Sequence, residues 1–340
     1  MANIVRMKDI AQRAGVSTVT VSKALSGQKG VSEGKREEIL RLAKEMGYKS
    51  QTDRSSRSNV SYNLGILMAS RFFDQFNSFY GNLQMLMTNE AAKKECFATM
   101  EIISPEMEEE MVMPRLLAKD KVDGYLVLGC LNEAYLDHLD RESDIPYVYV
   151  DFAHSSNKRD CVISDSFYGA YQLTNYLFGM GHRDIAYVGT LLTTGSITDR
   201  YLGYLKSMME HGVRVREEWV IPDRDRVTGM MDTGRFFPIP EKMPTAFVCN
   251  CDLAASYLER KLKEKGYRCP EDISIAGYDN LQYPAITDVH FTTYEVDTKE
   301  MARKAVHNLI HKINREYYRK GTVIVVGHLI QRETVRDLTE

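Results

Sequence analysis

From Leu64 onward the chain is punctuated by short, nearly continuous apolar runs: "LGILMA", "DGYLVLG", "PYVYVDF", "DIAYVGT", "TAFVCN" and "ISIAGYD". They are rich in Val, Ile and Tyr and read as strands buried on both faces. Amphipathic helical patterns lie between several of them, over 81–94, 169–180, 200–211 and 253–265. Buried strands alternating with helices make βαβ units and parallel sheets. Roughly 275 residues of this texture fit two open sheets better than one. The expectation is an α/β body over 63–340 built of doubly wound parallel sheets. Its ligand would bind outside the carboxyl ends of the strands.

The first fifty residues have a different texture. "MKDIAQRAGVSTVTVSKALSG" holds two short helical patterns around a tight turn. Ile10, Ala11 and Ala14 form one apolar stripe, and Gly15 ends it as a C′ glycine. Ser17 is an N-cap for the second pattern, in which Val21, Ala24 and Leu25 share a face. Thr18, Val19, Thr20, Ser22 and Lys23 are left for the outside. A third helix follows Ser32, with Ile39, Leu40, Leu42, Ala43 and Met46 as its apolar positions and Gly47 as its stop. Two short helices joined through a glycine turn and braced by a third make a helix-turn-helix.

Charge supports a separate head. Residues 1–60 carry 12 Lys/Arg against 6 Asp/Glu, whereas the remainder carries 32 against 41. A basic head on an acidic body fits a polyanion-binding module on its own scaffold. The six cysteines show no paired Cys-x-x-Cys spacing and read as free thiols of a reducing, cytoplasmic compartment. No metal or cofactor is expected. No apolar run reaches the roughly 18 residues of a membrane helix, and the N-terminus lacks the apolar core of a secretory signal. Dinucleotide, P-loop, nucleophile-elbow and zinc-protease motifs are absent, so no enzyme is expected. His182, in "MGHRDIAYVG", reads as a helix-ending histidine rather than a base. The cluster Phe72, Phe73, Phe76, Phe79 and Tyr80 follows a strand end, which leaves core and ligand wall both open.

The head resembles that of the LacI/GalR family of bacterial transcription regulators. The residues that carry the likeness are Asp9-Ile10-Ala11, Ala14-Gly15-Val16-Ser17, Thr20-Val21-Ser22, Leu25, Val31-Ser32 and Gly47-Tyr48. The resemblance continues through "VDGYLVLG", "IPYVYVD", "SDSFYGAYQLTNYLFGMGHRDIAYVG", "DRYLGY", "MPTAFVCNCD", "EDISIAGYDN" and "GHLIQRETV". It implies a second helix lying in the major groove, with Thr18, Val19 and Lys23 reading bases. Val19 would meet a thymine methyl and Lys23 a guanine edge. Thr20, Ser22 and Arg36 would hold phosphates. The family usually has Arg where Lys23 stands, and a lysine cannot make the bidentate fork.

The resemblance also implies a body like a periplasmic sugar-binding protein. Its two lobes would be joined by three crossings near 163–166, 292–294 and 323–327. The expected division is a head over 1–48, a basic linker over 49–62, and a body of two lobes. Lobe one would comprise about 63–163 and 294–324, and lobe two about 164–293 and 325–340. The effector would be a small sugar or sugar derivative between the lobes. Arg200 of "DRYLGY" would be the charged donor and Asp279 of "GYDN" the acceptor, facing each other across the cleft. Asp252 is the safer contact beside Cys251, which stands where the family commonly has an amide. Ser166 is a second departure at the cleft, standing where the family often has Asn. Ser70, Arg71, Phe72 and Tyr80 are further candidates, the aromatic rings lying on a sugar's apolar face.

In "KSQTDRSSRSNVS", Arg54 and Arg57 stand where the family carries an Ala and a groove-wedging Leu of a hinge helix. Two roles remain open for this segment: a passive tether, or a basic arm in which Arg54 and Arg57 follow the DNA. The whole implies a homodimeric repressor on a pseudo-palindromic double-stranded operator. A dimer rather than a tetramer is expected, because no leucine heptad follows Val335. The alternative is a sugar-binding protein without a DNA-dependent role.

Overall fold

The computed structural model describes residues 7–25, 30–46, 61–73, 78–153, 159–232, 234–318 and 320–339. The chain divides into two compact units, Met1–Ser61 and Tyr62–Glu340. Arg54 and Arg57 lie outside the described residues.

The first unit contains α1 (Met7–Ala14), α2 (Thr18–Leu25) and α3 (Glu33–Glu45). Its core is Ile10, Ala11, Ala14, Val21, Ala24, Ile39, Leu42 and Ala43. Small alanines at the contact let three short helices close on one another. Gly15 takes a φ of +65°, the left-handed value a helix stop requires. Ser17 then caps α2, its Oγ accepting from the Thr20 amide at 3.1 Å. Leu40 departs from its expected place: it is exposed, because the core-facing stripe of α3 is Ile39, Leu42 and Ala43.

Among its described residues the second unit holds two sheets of six strands each. In chain order these are β1 (Asn63–Ala69), β2 (Phe97–Ile103), β3 (Gly124–Leu128), β4 (Tyr147–Val150), β5 (Cys161–Ser164), β6 (Ile185–Val188), β7 (Val220–Ile221), β8 (Ala246–Cys249), β9 (Ser274–Tyr278), β10 (Thr292–Glu295), β11 (Thr322–Val325) and β12 (His328–Ile330). The first sheet runs β11-β5-β4-β3-β1-β2 with every pair parallel. The second runs β12-β10-β9-β8-β6-β7 and is parallel except for the β10–β12 pair. Helices cover both: α4 (Phe79–Lys93), α5 (Pro105–Glu109), α6 (Glu133–Glu142), α7 (Ser166–Gly179), α8 (Gly195–Glu210), α9 (Asp252–Glu264) and α10 (Thr298–Ile313). The α/β class expected from the alternating runs is the fold observed.

The chain passes from the first sheet to the second after β5, returns after β10, and leaves again after β11. The second passage falls later than 292–294. Thr292, Thr293 and Tyr294 pair in register with Ala276, Gly277 and Tyr278, so they belong to the second sheet. The change of lobe comes beyond Glu295, where Asp297 caps α10 by accepting from the Glu300 amide at 2.9 Å. Caps explain two further shifts. Asp165 and Thr194 start α7 and α8 at Ser166 and Gly195, earlier than the apolar periodicity shows. Among the described residues no helix is long and apolar enough to cross a membrane.

The C-terminal segment straps the second lobe. Thr334 Oγ1 donates to the Ile275 carbonyl at 2.7 Å and accepts from the Thr292 amide at 2.8 Å. His182, buried, bridges Thr245 Oγ1 at 2.9 Å and the Arg336 carbonyl at 3.1 Å. Burial holds its pKa below the usual imidazole value. It is a stitch for the strap, not a base. In the same lobe α7 and α8 cross closely, and a Cβ on Gly203 would collide with the Phe167 carbonyl. Gly203→Ala is therefore expected to cost about 1–3 kcal/mol, read as a fall in Tm of a few degrees by calorimetry.

Candidate functional site

The ends of the parallel strands from both sheets converge on one cavity of about 430 Å³, within the usual range for small-molecule sites. The first lobe contributes Ser70, Arg71, Phe72, Phe73, Ser78, Phe79, Tyr80 and Asp151. From the second lobe, the N-terminal part of α8 supplies Ser196, Ile197 and Arg200. The segment after β7 supplies Arg224, that after β8 supplies Asn250 and Cys251, and that after β9 supplies Asp279.

Arg200 is the centre of the polar floor. It is only 5% exposed. Its guanidinium lies 3.8 Å from the centre of the Tyr278 ring and donates through Nη1 to the Asn250 carbonyl. Nη2 is 3.4 Å from Asp279 Oδ1, a contact of charges without hydrogen-bond geometry. Arg200 and Asp279 both come from the second lobe, so they lie side by side and do not face each other across the cleft. The carboxylate that the first lobe brings is Asp151, whose Oδ2 accepts from Tyr80 Oη at 2.9 Å.

Both carboxyls sit on unusual backbone. Asp151 has a φ of +67° and Asp279 a φ of +99°, in the region that side chains with a Cβ rarely adopt. Burial pushes Asp151 up to about 6 and Asp279 up to about 7, with Arg200 pulling each down. Three buried polar atoms here lack a hydrogen-bond partner among the described residues: Arg200 Nε, Asp151 Oδ1 and Asp279 Oδ1. Each would cost about 1–3 kcal/mol if left unmade. All three belong to residues that line the cavity, and each atom is itself buried.

The aromatic wall is equally defined. Phe72 and Tyr80 have ring centroids 4.5 Å apart at 35°. Gly129, with a φ of +74°, makes room for the pair: a Cβ there would meet Phe72 at 2.7 Å. Arg71 lines the cleft too, but it is turned toward Glu108 and the Cys130 carbonyl. Ser70 opens the short 3-10 turn over Ser70–Phe72 and also lines the cavity.

Asp252 does not line the cavity. Its Oδ2 accepts from the Leu281 amide at 2.8 Å and Thr293 Oγ1 at 3.1 Å, tying the start of α9 to β10. Burial holds its pKa well above the usual carboxylate value. Cys251, its neighbour, is the residue that faces the cleft, as the N-cap of α9. Ser166 is likewise not a lining residue; it is buried 3.3 Å from Ser164 at the first crossing.

Asp151, Arg224 and Asn250 were missed by motif reasoning. Their signal was positional, since all three lie just beyond strand ends. Arg224 is held by Asp223, whose Oδ2 accepts from its Nε at 3.0 Å and its Nη2 at 2.7 Å. Asp223 is fully buried. Burial acts to raise its pKa, but Arg224, Asn250 and the Thr190 amide outweigh burial and hold it below the usual value. All six cysteines are free, and no cluster able to hold a metal is found among the described residues.

In the first unit, α2 presents Thr18, Val19, Ser22 and Lys23 on its exposed side, with Val19 61% exposed. Thr20 is different: it is half-buried, and its hydroxyl lies 2.9 Å from Ser17 Oγ, inside the cap. Arg36 is half-buried in the first turn of α3.

Residues 6–51 match the family model "Bacterial regulatory proteins, lacI family", and residues 174–335 match the periplasmic binding protein-like domain. The chain is similar to the HTH-type transcriptional repressor PurR of Erwinia tasmaniensis, 30% identical over 341 residues and covering 97% of each chain. The PurR repressor of Vibrio campbellii is 29% identical over 334 residues, covering 98% of this chain and 99% of that one. Among solved structures, a CelR–cellobiose complex aligns with a TM-score of 0.67 at 22% identity, covering 97% of this chain and 99% of the other. A lac repressor dimer bound to operator and the anti-inducer ONPF aligns with a TM-score of 0.66 at 19% identity, covering 98% and 100%. At these identities the solved structures show the fold.

The two raised carboxyls predict a pH dependence. Their folded pKa values lie above the roughly 3.9 of an unfolded aspartate. The stability they contribute is therefore full below about pH 4 and lost as pH rises through about 6 for Asp151 and about 7 for Asp279. Tm without ligand is expected to fall between pH 5 and 8, and Asp279→Asn to flatten that fall; an unchanged slope in the variant contradicts the assignment.

Proposed function

Since the chain belongs to the LacI family of bacterial regulatory proteins, DNA-binding transcriptional repressors with a ligand-binding body, we propose that its operator affinity is set by a small sugar or sugar derivative held between the two lobes. The observation that carries this reading is the set of unpartnered buried atoms around the cavity: Arg200 Nε, Asp151 Oδ1 and Asp279 Oδ1. One donor and two acceptors beside an aromatic wall match a ring with adjacent hydroxyls on its edge and an apolar face. Because Asp151 comes from one lobe and Arg200 and Asp279 from the other, a ligand that satisfies all three favours a particular angle between the lobes. That differential affinity is what shifts a two-state regulator.

On the DNA side, Thr18, Val19 and Lys23 read bases in the major groove, while Thr20, Ser22 and Arg36 approach phosphates. Thr20 is the weakest of these, since its hydroxyl already serves the cap. A homodimer would place two heads on a pseudo-palindrome. Arg54 and Arg57 would act as a basic arm along the backbone or the minor groove.

The aromatic faces of Phe72 and Tyr80, though tilted 35° to each other, favour one second reading, a flat nitrogen heterocycle stacked on one of them as effector. A panel of sugars and nucleobases discriminates the two by the change each causes in operator affinity.

Retardation of DNA from the gene's own neighbourhood tests the regulator. Lys23→Ala is expected to weaken operator binding roughly fivefold, about 1 kcal/mol. Arg54→Ala with Arg57→Ala is expected to reduce the slope of affinity against salt. Arg200→Ala is expected to bind operator normally yet respond about tenfold less to the effector; a normal response removes Arg200 from the site.

A further inference from the structure

The cleft contains a second guanidinium that the polyol reading leaves without a task. Arg224 follows β7, lines the cavity and keeps 15% of its side chain exposed. Its inner edge is fully engaged. Nε and Nη2 hold Asp223, and Nη2 also reaches Asn250 Oδ1 at 3.2 Å and Cys251 Sγ at 3.6 Å. Among the described residues Nη1 has no partner.

Asn250 couples this group to Arg200. Its carbonyl accepts from Arg200, its side-chain oxygen accepts from Arg224, and its amide donates to Asp223 at 2.7 Å. One asparagine thus orients two cations into one cavity. Arg200, 5% exposed, adds its own unpartnered Nε. Cys251 offers only a weak thiol beside them, so the strong donors at this end of the cleft are guanidinium groups. The helix that Cys251 caps, α9, also begins here, and the N-terminal turn of α8 lines the cavity through Ser196 and Ile197. Both helix starts add partial positive charge.

We propose that Arg224 and Arg200 form a subsite for an anionic group, so that the effector is a sugar bearing a carboxylate or a phosphate. This rests on the cleft being the effector site. A planar fork whose inner edge is locked by Asp223 is preorganised to meet either anion with little loss of side-chain freedom. A neutral hydroxyl can accept a bond from Arg224 Nη1 but, unlike an anion, brings no charge to meet the two guanidinium groups.

The full chain is titrated calorimetrically at neutral pH and fixed ionic strength with D-glucuronate, D-glucose 6-phosphate, D-glucose and inorganic phosphate. At least one of glucuronate, glucose 6-phosphate and phosphate is expected to bind about tenfold or more tighter than glucose. Which of them binds separates carboxylate from phosphate. Arg224→Gln alone would strand the buried Asp223, so Asp223→Asn/Arg224→Gln is the companion variant; it keeps the hydrogen-bonding shape and is expected to erase the preference for anions. No anion binding, glucose binding as tightly as the anions, or a preference that survives in the double variant overturns the subsite. Anion binding that leaves operator affinity unchanged retains the subsite and instead removes the effector role.

Discussion

The body depends on how one buried cation is accommodated. Arg200 has little access to water, and a guanidinium cannot shed its proton to escape burial. Its charge is met by the Asp279 carboxylate, the Asn250 carbonyl and the face of Tyr278. None of these completes its hydrogen bonding, since Nε is left over. That omission falls on the floor of the cleft, among the residues that line the cavity.

The fold delivers these partners through one device used repeatedly. Parallel strands end on the same side of a sheet, so Asp151 after β4, Arg224 after β7, Asn250 after β8 and Asp279 after β9 all arrive near the cavity. The strained backbone at Asp151 and Asp279 turns each carboxyl inward at the strand end. Behind them, Asp252, Thr293 and the C-terminal strap around Thr334 hold β9 and β10 in place. Asp252, which its position in the chain marks as a site residue, belongs to this supporting framework, as does His182.

Legibility differed by region for physical reasons. The head was legible almost residue by residue, because a glycine stop, a serine cap and an alanine stripe are local signals. Leu40 was misjudged there, since the step of about 100° between neighbouring helical residues decides exposure and periodicity resolves that only coarsely. The strands and their alternation with helices were legible from apolar runs. Helix starts were not, because Asp165 and Thr194 extend α7 and α8 beyond their apolar stripes. Asp252 was favoured over Cys251 on chemistry alone, yet adjacent residues at a helix start point in different directions, and Cys251 is the one that faces the cleft.

What the sequence by itself determined is the class of protein: a basic helix-turn-helix head, an α/β body of buried strands, and a set of strand-end residues from which a site had to be drawn. Those properties follow from local periodicity, capping and charge, which act over a few residues. What only the tertiary structure decided is which strand-end residues meet. Arg200 and Asp279 share a lobe, Asp151 is the carboxylate opposite, and Arg224 joins them through Asn250. Those contacts link residues separated by tens of positions. They depend on the order in which strands pair and on the angle at which helices cross, and neither is written in any single stretch of chain.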